Sequence, residues 1–242
     1  MNIRFEQRKV LVTGGTRGIG KKIAENFIES GADVIITGTK ESPPDWCNKN
    51  NYEQLSIDIE SNWKERVDQI ISKHGGFDTL INNAGMNKIS KIYEINQDDI
   101  SNILLTNLNA PIYLSSVVSE KMIEKKYGYI INIASIFGVV TREGRNAYTA
   151  SKAGLIGLTK TMAVDLGKYN ILVNAVSPGF VDTELTREIL GSHEMKQIKD
   201  KIPLMRLASS DDVSNTVLFL ASDQNTYITG QNIIVDGGFT VE

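Results

Sequence analysis

Short runs of β-branched and aliphatic residues alternate along the chain with longer stretches whose apolar positions recur at helical spacing. Lys9–Thr13 (KVLVT) reads as a buried strand; after a glycine-rich turn, Ile19–Ser30 carries Ile19, Ile23, Ala24, Phe27 and Ile28 on one helical stripe. Gly31 closes that helix, and Asp33–Thr37 (DVIIT) is a second strand. A polar loop with Pro43-Pro44 and an Asn/Lys cluster at 48–51 leads to a strand over Gln54–Ile57. A helix over Glu60–His74, ended by Gly75-Gly76, and a strand over Phe77–Asn82 follow. Gln97–Lys126 reads as one long helix bent near Pro111, then strand Tyr129–Ala134, helix Ala147–Lys168 and strand Ile171–Ala175. Gly179–Arg206 is less regular, and helix Asp211–Ala221 and strand Asn232–Val235 end the pattern.

Parallel strands need crossover helices, and those crossovers are right-handed. The alternation therefore predicts an α/β fold: one domain over 1–242, a doubly wound sheet of about seven parallel strands with helices on both faces. No repeat, low-complexity tract or composition shift marks a linker.

Composition works by exclusion. The 242 residues hold 26 Lys+Arg against 29 Asp+Glu, a formal charge of −3. With a pI near 5.6 and no Lys/Arg run beyond two residues, a nucleic-acid partner is not expected. Cys47 stands alone, which excludes an internal disulfide and a thiolate zinc cluster. His74 and His193 lie far apart, so neither a metal site nor a Ser-His-Asp arrangement is expected. Tyr129–Val140, the longest nearly apolar stretch, is about half a membrane span, and MNIRFEQRKV has no apolar signal segment. The expectation is a protein of the reducing cytoplasm with no membrane partner.

The first strand runs into Thr13-Gly14-Gly15-Thr16-Arg17-Gly18-Ile19-Gly20. Glycines there permit a tight turn, backbone approach to a pyrophosphate and close helix–strand packing, and the free N–H groups of the following helix attract phosphate. Gly15-x4-Gly20-Lys21 also satisfies most of a P-loop, but Lys22 stands where the magnesium-binding hydroxyl belongs. The second strand ends in Thr37-Gly38-Thr39-Lys40, with no acid for a ribose 2′-hydroxyl and with Arg17 nearby in the turn. That favours NADP(H) over NAD(H), the bland alternative being that Arg17 and Lys40 are solvated surface charges.

Tyr148 and Lys152 are one helical turn apart and share a face, thirteen residues after a strand ending in Ser135. A phenol with an ordinary pKa of about 10 is a poor base. An ammonium about 4 Å away, worth about 4 kcal/mol at an effective dielectric of about 20, would acidify it for proton transfer. Ser135 could then hydrogen-bond the substrate oxygen, and Lys152 the nicotinamide ribose.

Thr13–Gly20, Asp58-Ile59, Asn82-Asn83-Ala84-Gly85, Asn107, Ser135, Tyr148-x3-Lys152, Asn174, and Pro178-Gly179 with Thr183 stand in an order that resembles the short-chain dehydrogenase/reductase family over essentially the whole length. The resemblance implies a Rossmann fold and a catalytic set of Asn107, Ser135, Tyr148 and Lys152, Asn107 supporting a water-mediated proton route to the lysine. It implies cofactor contacts from Gly14, Thr16, Arg17, Gly18, Ile19, Gly20, Thr39, Asp58, Ile59, Asn83, Ala84 and Gly85. On the nicotinamide side it implies Tyr148, Lys152, Pro178, Gly179, Val181 and Thr183. It also implies a homotetramer built through the long helices and the C-terminal strand region.

Within the family the pattern, including Tyr227–Gly230 and Val235–Gly238, is most similar to the 3-oxoacyl-[acyl-carrier-protein] reductases of fatty acid biosynthesis. Those enzymes commonly place carrier-docking arginines where this chain has Tyr129 and Tyr169. The substrate class implied is a small-molecule or acyl-thioester ketone, reduced to a secondary alcohol. A sugar-like or other small polar hydroxyl or keto substrate is the alternative, and a non-catalytic dinucleotide-binding regulator a further one. The charged segment Gly179–Arg206 (Glu184, Arg187, Glu188, Glu194, Lys196) suits a substrate lid, against the alternative of a surface helix pair; His193 within it reads as a surface residue.

Overall fold

The computed structural model describes residues 3–189 and 192–242; the side chains of Glu188 and His193 lie outside the described residues. Seven strands form one sheet: β1 (Lys9–Val12), β2 (Asp33–Gly38), β3 (Tyr52–Gln54), β4 (Thr79–Asn82), β5 (Gly128–Ile133), β6 (Ile171–Pro178) and β7 (Asn232–Val235). Their order is β3-β2-β1-β4-β5-β6-β7, and every pairing is parallel. The connecting helices are α1 (Gly18–Glu29), α2 (Trp63–His74), α3 (Gln97–Leu104), α4 (Ala110–Lys125), α5 (Asn146–Gly167), α6 (Glu184–Ile189), α7 (Ser192–Asp200) and α8 (Ser210–Leu220).

Strand side chains alternate between two faces, so each strand feeds two cores. Val10, Val12, Val34 and Ile36 pack with Ile23 and Phe27 of α1 and Val213 and Val217 of α8. Leu11, Ile35, Leu80 and Ile130 face the other way, against Val67 of α2, Val118 of α4 and Met162 of α5. The strand order reverses between β1 and β4, and a parallel sheet opens a crevice beyond the strand ends at such a point. Polar groups cross the second core as a chain: Asn82 Nδ2 donates to Asn132 Oδ1 at 2.9 Å, and Asn132 Nδ2 to Thr159 Oγ1 of α5 at 2.9 Å. This chain pins α5, the helix that carries Tyr148 and Lys152, to the middle of the sheet.

Three elements differ from the sequence expectation. β3 lies earlier than the expected Gln54–Ile57, at Tyr52–Gln54, because Glu53 is buried among the cations of α2. The long helix is not continuous: a five-residue π turn, Leu105–Asn109, separates α3 from α4. Pro111 has no N–H for the carbonyl of Asn107 four residues earlier, and the widened turn absorbs the mismatch. The irregular segment contains two short helices, α6 and α7, and Met195 and Ile198 of α7 pack in a small cluster with Ile202, Leu207, Phe180 and Phe239.

Candidate active site

Beyond β1 the chain turns through Gly14 at φ +62° into α1, whose first residue, Gly18, has φ +56°. A Cβ on Gly14 would stand 2.9 Å from Ala84 Cα, and one on Gly20 only 2.3 Å from Asn83 Nδ2. Asn83 is itself the staple of the turn, its Nδ2 donating to the carbonyls of Thr13 and Gly14 at 3.0 Å each. Thr13 Oγ1 completes the lock by accepting the N–H groups of Asn83 and Ala84, both at 3.0 Å. The turn is thus a backbone cradle kept free of side chains, as a pyrophosphate requires.

A cavity of about 410 Å³ opens over it, lined by Gly14, Thr16, Arg17, Gly18, Ile19, Gly20, Thr39, Asn83, Ala84, Gly85 and Thr183. Ser56, Ile57, Met86 and Thr106, which sequence reasoning did not single out, also line it. Asp58 and Ile59 are not among the lining residues. The Asp58 carboxylate accepts from Ser56 Oγ at 2.8 Å and from the N–H groups of Glu60 and Ser61 at 3.1 and 2.8 Å, which turns it into its own loop.

A second cavity of about 250 Å³ shares Ile19, Asn83, Gly85, Met86 and Thr183 with the first, so the two form one cleft. Its wall brings together Ser135, Tyr148, Lys152, Pro178, Gly179 and Val181. Ser135 follows β5, Tyr148 and Lys152 lie on the first turns of α5, and Pro178 ends β6. The Ser135 hydroxyl faces the same cavity as the Tyr148 phenol, close enough to lower its pKa, and accepts the Phe137 N–H at 3.1 Å. Lys152, 4% exposed, donates to the Ile133 carbonyl at 2.8 Å and places Nζ 5.7 Å from the Tyr148 ring centre.

Asn107 is fully buried on the π turn. Its Oδ1 accepts the Met86 N–H at 2.8 Å, and its Nδ2 donates to the Met86 carbonyl at 2.9 Å and to Ser151 Oγ at 3.0 Å. Its side chain therefore holds the Gly85-Met86 wall against α5. Ser151, which the sequence reading passed over, supplies the other end of that tie and donates to the Tyr148 carbonyl at 2.7 Å.

The electrostatics correct one expectation. The Tyr148 phenol is not acidified by Lys152: burial raises its pKa, and the groups pulling it back are the Ser135 hydroxyl and the Arg145 guanidinium. The lysine is itself lowered to about 8 by burial, with its ammonium committed to the Ile133 carbonyl. A protonated phenol beside a serine hydroxyl can donate to a carbonyl oxygen, which is the state a ketone reduction calls for.

A family model described as "Enoyl-(Acyl carrier protein) reductase" matches residues 14–240. The 3-oxoacyl-[acyl-carrier-protein] reductase FabG of Aquifex aeolicus is 38% identical over 98% of this chain and 99% of its own length. The one from Escherichia coli is 36% identical over 98% of each. The chain belongs to the short-chain dehydrogenase/reductase family. Solved members of similar shape include a gluconate 5-dehydrogenase from Burkholderia cenocepacia in complex with NADP and tartrate, 28% identical with a TM-score of 0.90 over 99% of this chain and 97% of that one. A 4-hydroxyisoleucine dehydrogenase complexed with NADH is 33% identical, TM-score 0.90, over 98% of this chain and 100% of that one. Like the family, this chain is an oxidoreductase of CH–OH and C=O groups that binds a nicotinamide dinucleotide, and the side-chain-free glycine cradle fits that group. When bound, the nicotinamide would supply or accept the hydride, and the glycine turn is the part of the chain that fits its pyrophosphate. Among the described residues no helix is long and apolar enough to cross a membrane.

Proposed function

We propose that the chain is an NADP(H)-dependent ketoreductase that interconverts a ketone and a secondary alcohol in the reducing cytoplasm, as a 3-oxoacyl-thioester reductase of fatty acid biosynthesis. The observation that carries this reading is the meeting of Ser135, Tyr148 and Lys152 in the wall of a cleft continuous with the glycine cradle. In it Ser135 orients the carbonyl oxygen, Tyr148 donates the proton, Lys152 binds the ribose, and Asn107 holds the wall. Arg17 and Thr39 line the cofactor cavity beside β2, while its acid, Glu184, belongs to α6; this supports NADP(H) over NAD(H). Asp58 and Ile59 border the adenine end from just outside the lining, and residues 179–206 close over the substrate as a lid. Exposed Ile112, Val164, Tyr227 and Val241, on α4, on α5 and near β7, support assembly into a homotetramer. Tyr148→Phe tests the core of the reading: turnover of acetoacetyl thioester should fall by about a thousandfold or more with NADPH binding retained, and near-normal turnover would refute it.

A second reading, a small free substrate in place of a carrier-borne one, is favoured by Tyr129. Its ring packs edge-on against Tyr127 with centres 5.6 Å apart, under the Arg8 guanidinium at 5.3 Å. Only 6% exposed, it offers no cation to an acidic carrier protein.

A further inference from the structure

The chain buries two arginines to the same depth, each 7% exposed, and treats them differently. Arg8 is fully compensated: it pairs with Asp223, donates to the Ala221 carbonyl at 2.9 Å, and lies over the rings of Phe5, Tyr127 and Tyr129 at 5.2–5.3 Å. Arg145 has no carboxylate partner among the described residues, and its buried Nε has no hydrogen-bond acceptor. Its guanidinium carbon lies 5.2 Å from the centre of the Phe137 ring, and the charges of Arg142 and Glu194 act on it in opposite senses.

The nearby acids are already spent. Glu194 of α7 accepts from Arg142 at 2.7 Å, and Glu143 from Lys91 at 3.2 Å. Arg142 and Glu194 cancel, which leaves one net positive charge around Arg145. A guanidinium does not relieve burial by losing its proton, and a buried charge without a counter-ion costs several kcal/mol. Such a residue is tolerated where an anion arrives with function.

Its position says which anion. Arg145 caps the N-terminus of α5 three residues before Tyr148, and the phenol feels its charge. Phe137, on which it lies, packs edge-on against the Tyr148 ring with centres 6.4 Å apart. The loop is held in place: Ser90 bridges to Arg145 and accepts from Asn146 Nδ2 at 2.6 Å. A single planar fork with one uncompensated charge matches a carboxylate, which it can bind through two parallel hydrogen bonds, better than a phosphate dianion.

We infer that Arg145 is a specificity-determining residue that receives a carboxylate of the substrate, so that the ketone reduced beside Tyr148 is an oxo acid. This rests on the second form of the ketoreductase reading, in which the substrate is a small free molecule and not a carrier-borne thioester, and it names the class of that molecule. A neutral thioester would leave the guanidinium uncompensated; a free acid neutralises it and sets the carbonyl against Ser135 and Tyr148.

The test uses the NADPH-loaded protein and the variants Arg145→Gln and Arg145→Lys. Wild type should reduce acetoacetate with kcat/KM at least about tenfold above methyl acetoacetate, and R145Q should erase that preference while R145K keeps part of it. Calorimetry with succinate, which needs no turnover, should show saturable binding that R145Q abolishes and dimethyl succinate never shows. Equal use of acid and ester by wild type, or succinate binding that is absent or indifferent to R145Q, overturns the assignment. So does a loss of turnover that is equal for acid and ester and comes with a displaced alkaline limb of the pH profile, since the guanidinium would then serve the phenol. Failure to reduce acid, ester and acetoacetyl thioester alike would count against the ketoreductase reading, and the succinate titration would still decide the role of Arg145.

Discussion

A lysine ammonium held in a nearly dry cleft by one backbone carbonyl is a costly group to keep. Lys152, whose pKa falls from its ordinary 10.5 to about 8, costs about 3 kcal/mol of stability while charged at neutral pH. Because its folded value lies below the unfolded one, that cost is complete below about 8 and fades as pH rises toward 10.5. Lys152→Met removes the cost and forfeits one hydrogen bond to Ile133, worth about 1 kcal/mol. The variant should therefore melt higher than wild type at pH 7 and lose its turnover, read by calorimetry and NADPH oxidation. Gly20→Ala tests the cradle in the opposite sense. Its new methyl meets Asn83 Nδ2 at 2.3 Å and the Gly14 carbonyl oxygen at 2.4 Å, so NADPH affinity should fall at least about tenfold, or 1.4 kcal/mol, by fluorescence titration.

Elements place these residues. The π turn between α3 and α4 brings Asn107 under the Gly85-Met86 wall, a place that a continuous helix with different facing would not give it. Helix α7 packs on its own small cluster and is tied to the loop before α5 by Arg142 and Glu194, which are 40% and 39% exposed. A pair that open to solvent contributes at most about 1 kcal/mol. Glu194→Gln should therefore raise KM by up to about fivefold and leave the melting temperature nearly unchanged. A large loss of stability would mean that α7 is part of the rigid frame.

At the scale of the molecule, β3 is joined to α2 through a buried acid. Glu53, 4% exposed, accepts from Arg66 at 2.6 Å and from Lys73 at 2.7 Å, and meets His74 Nε2 at 2.8 Å. Burial pushes its carboxyl upward, but the hydrogen bonds from Lys73 and His74 and the charges of Lys73 and Arg66 outweigh it, and the net pKa is lowered. The stabilisation is therefore complete above its ordinary 4.5 and is lost as pH falls through the folded value. Glu53→Gln should cost about 3 kcal/mol at pH 7 and flatten the acid limb of the melting curve below pH 4.5.

Local periodicity was enough to locate the glycine turn between the first strand and helix, the Tyr148–Lys152 face and the parallel order of strands, because each follows from spacing along a few consecutive residues. The π turn and the early start of β3 were not legible, since both depend on partners far along the chain: Met86 and Ser151 for Asn107, and the cations of α2 for Glu53. The proton chemistry lay further still from the sequence. Four residues of spacing put Lys152 beside Tyr148, yet packing turned its ammonium to Ile133, raised the phenol by burial and gave the Arg145 guanidinium a hold on its charge. Residue order determined which groups could meet; which charges kept a partner and which lost one was decided by what the fold brought around them, because desolvation and pairing are properties of the packed neighbourhood.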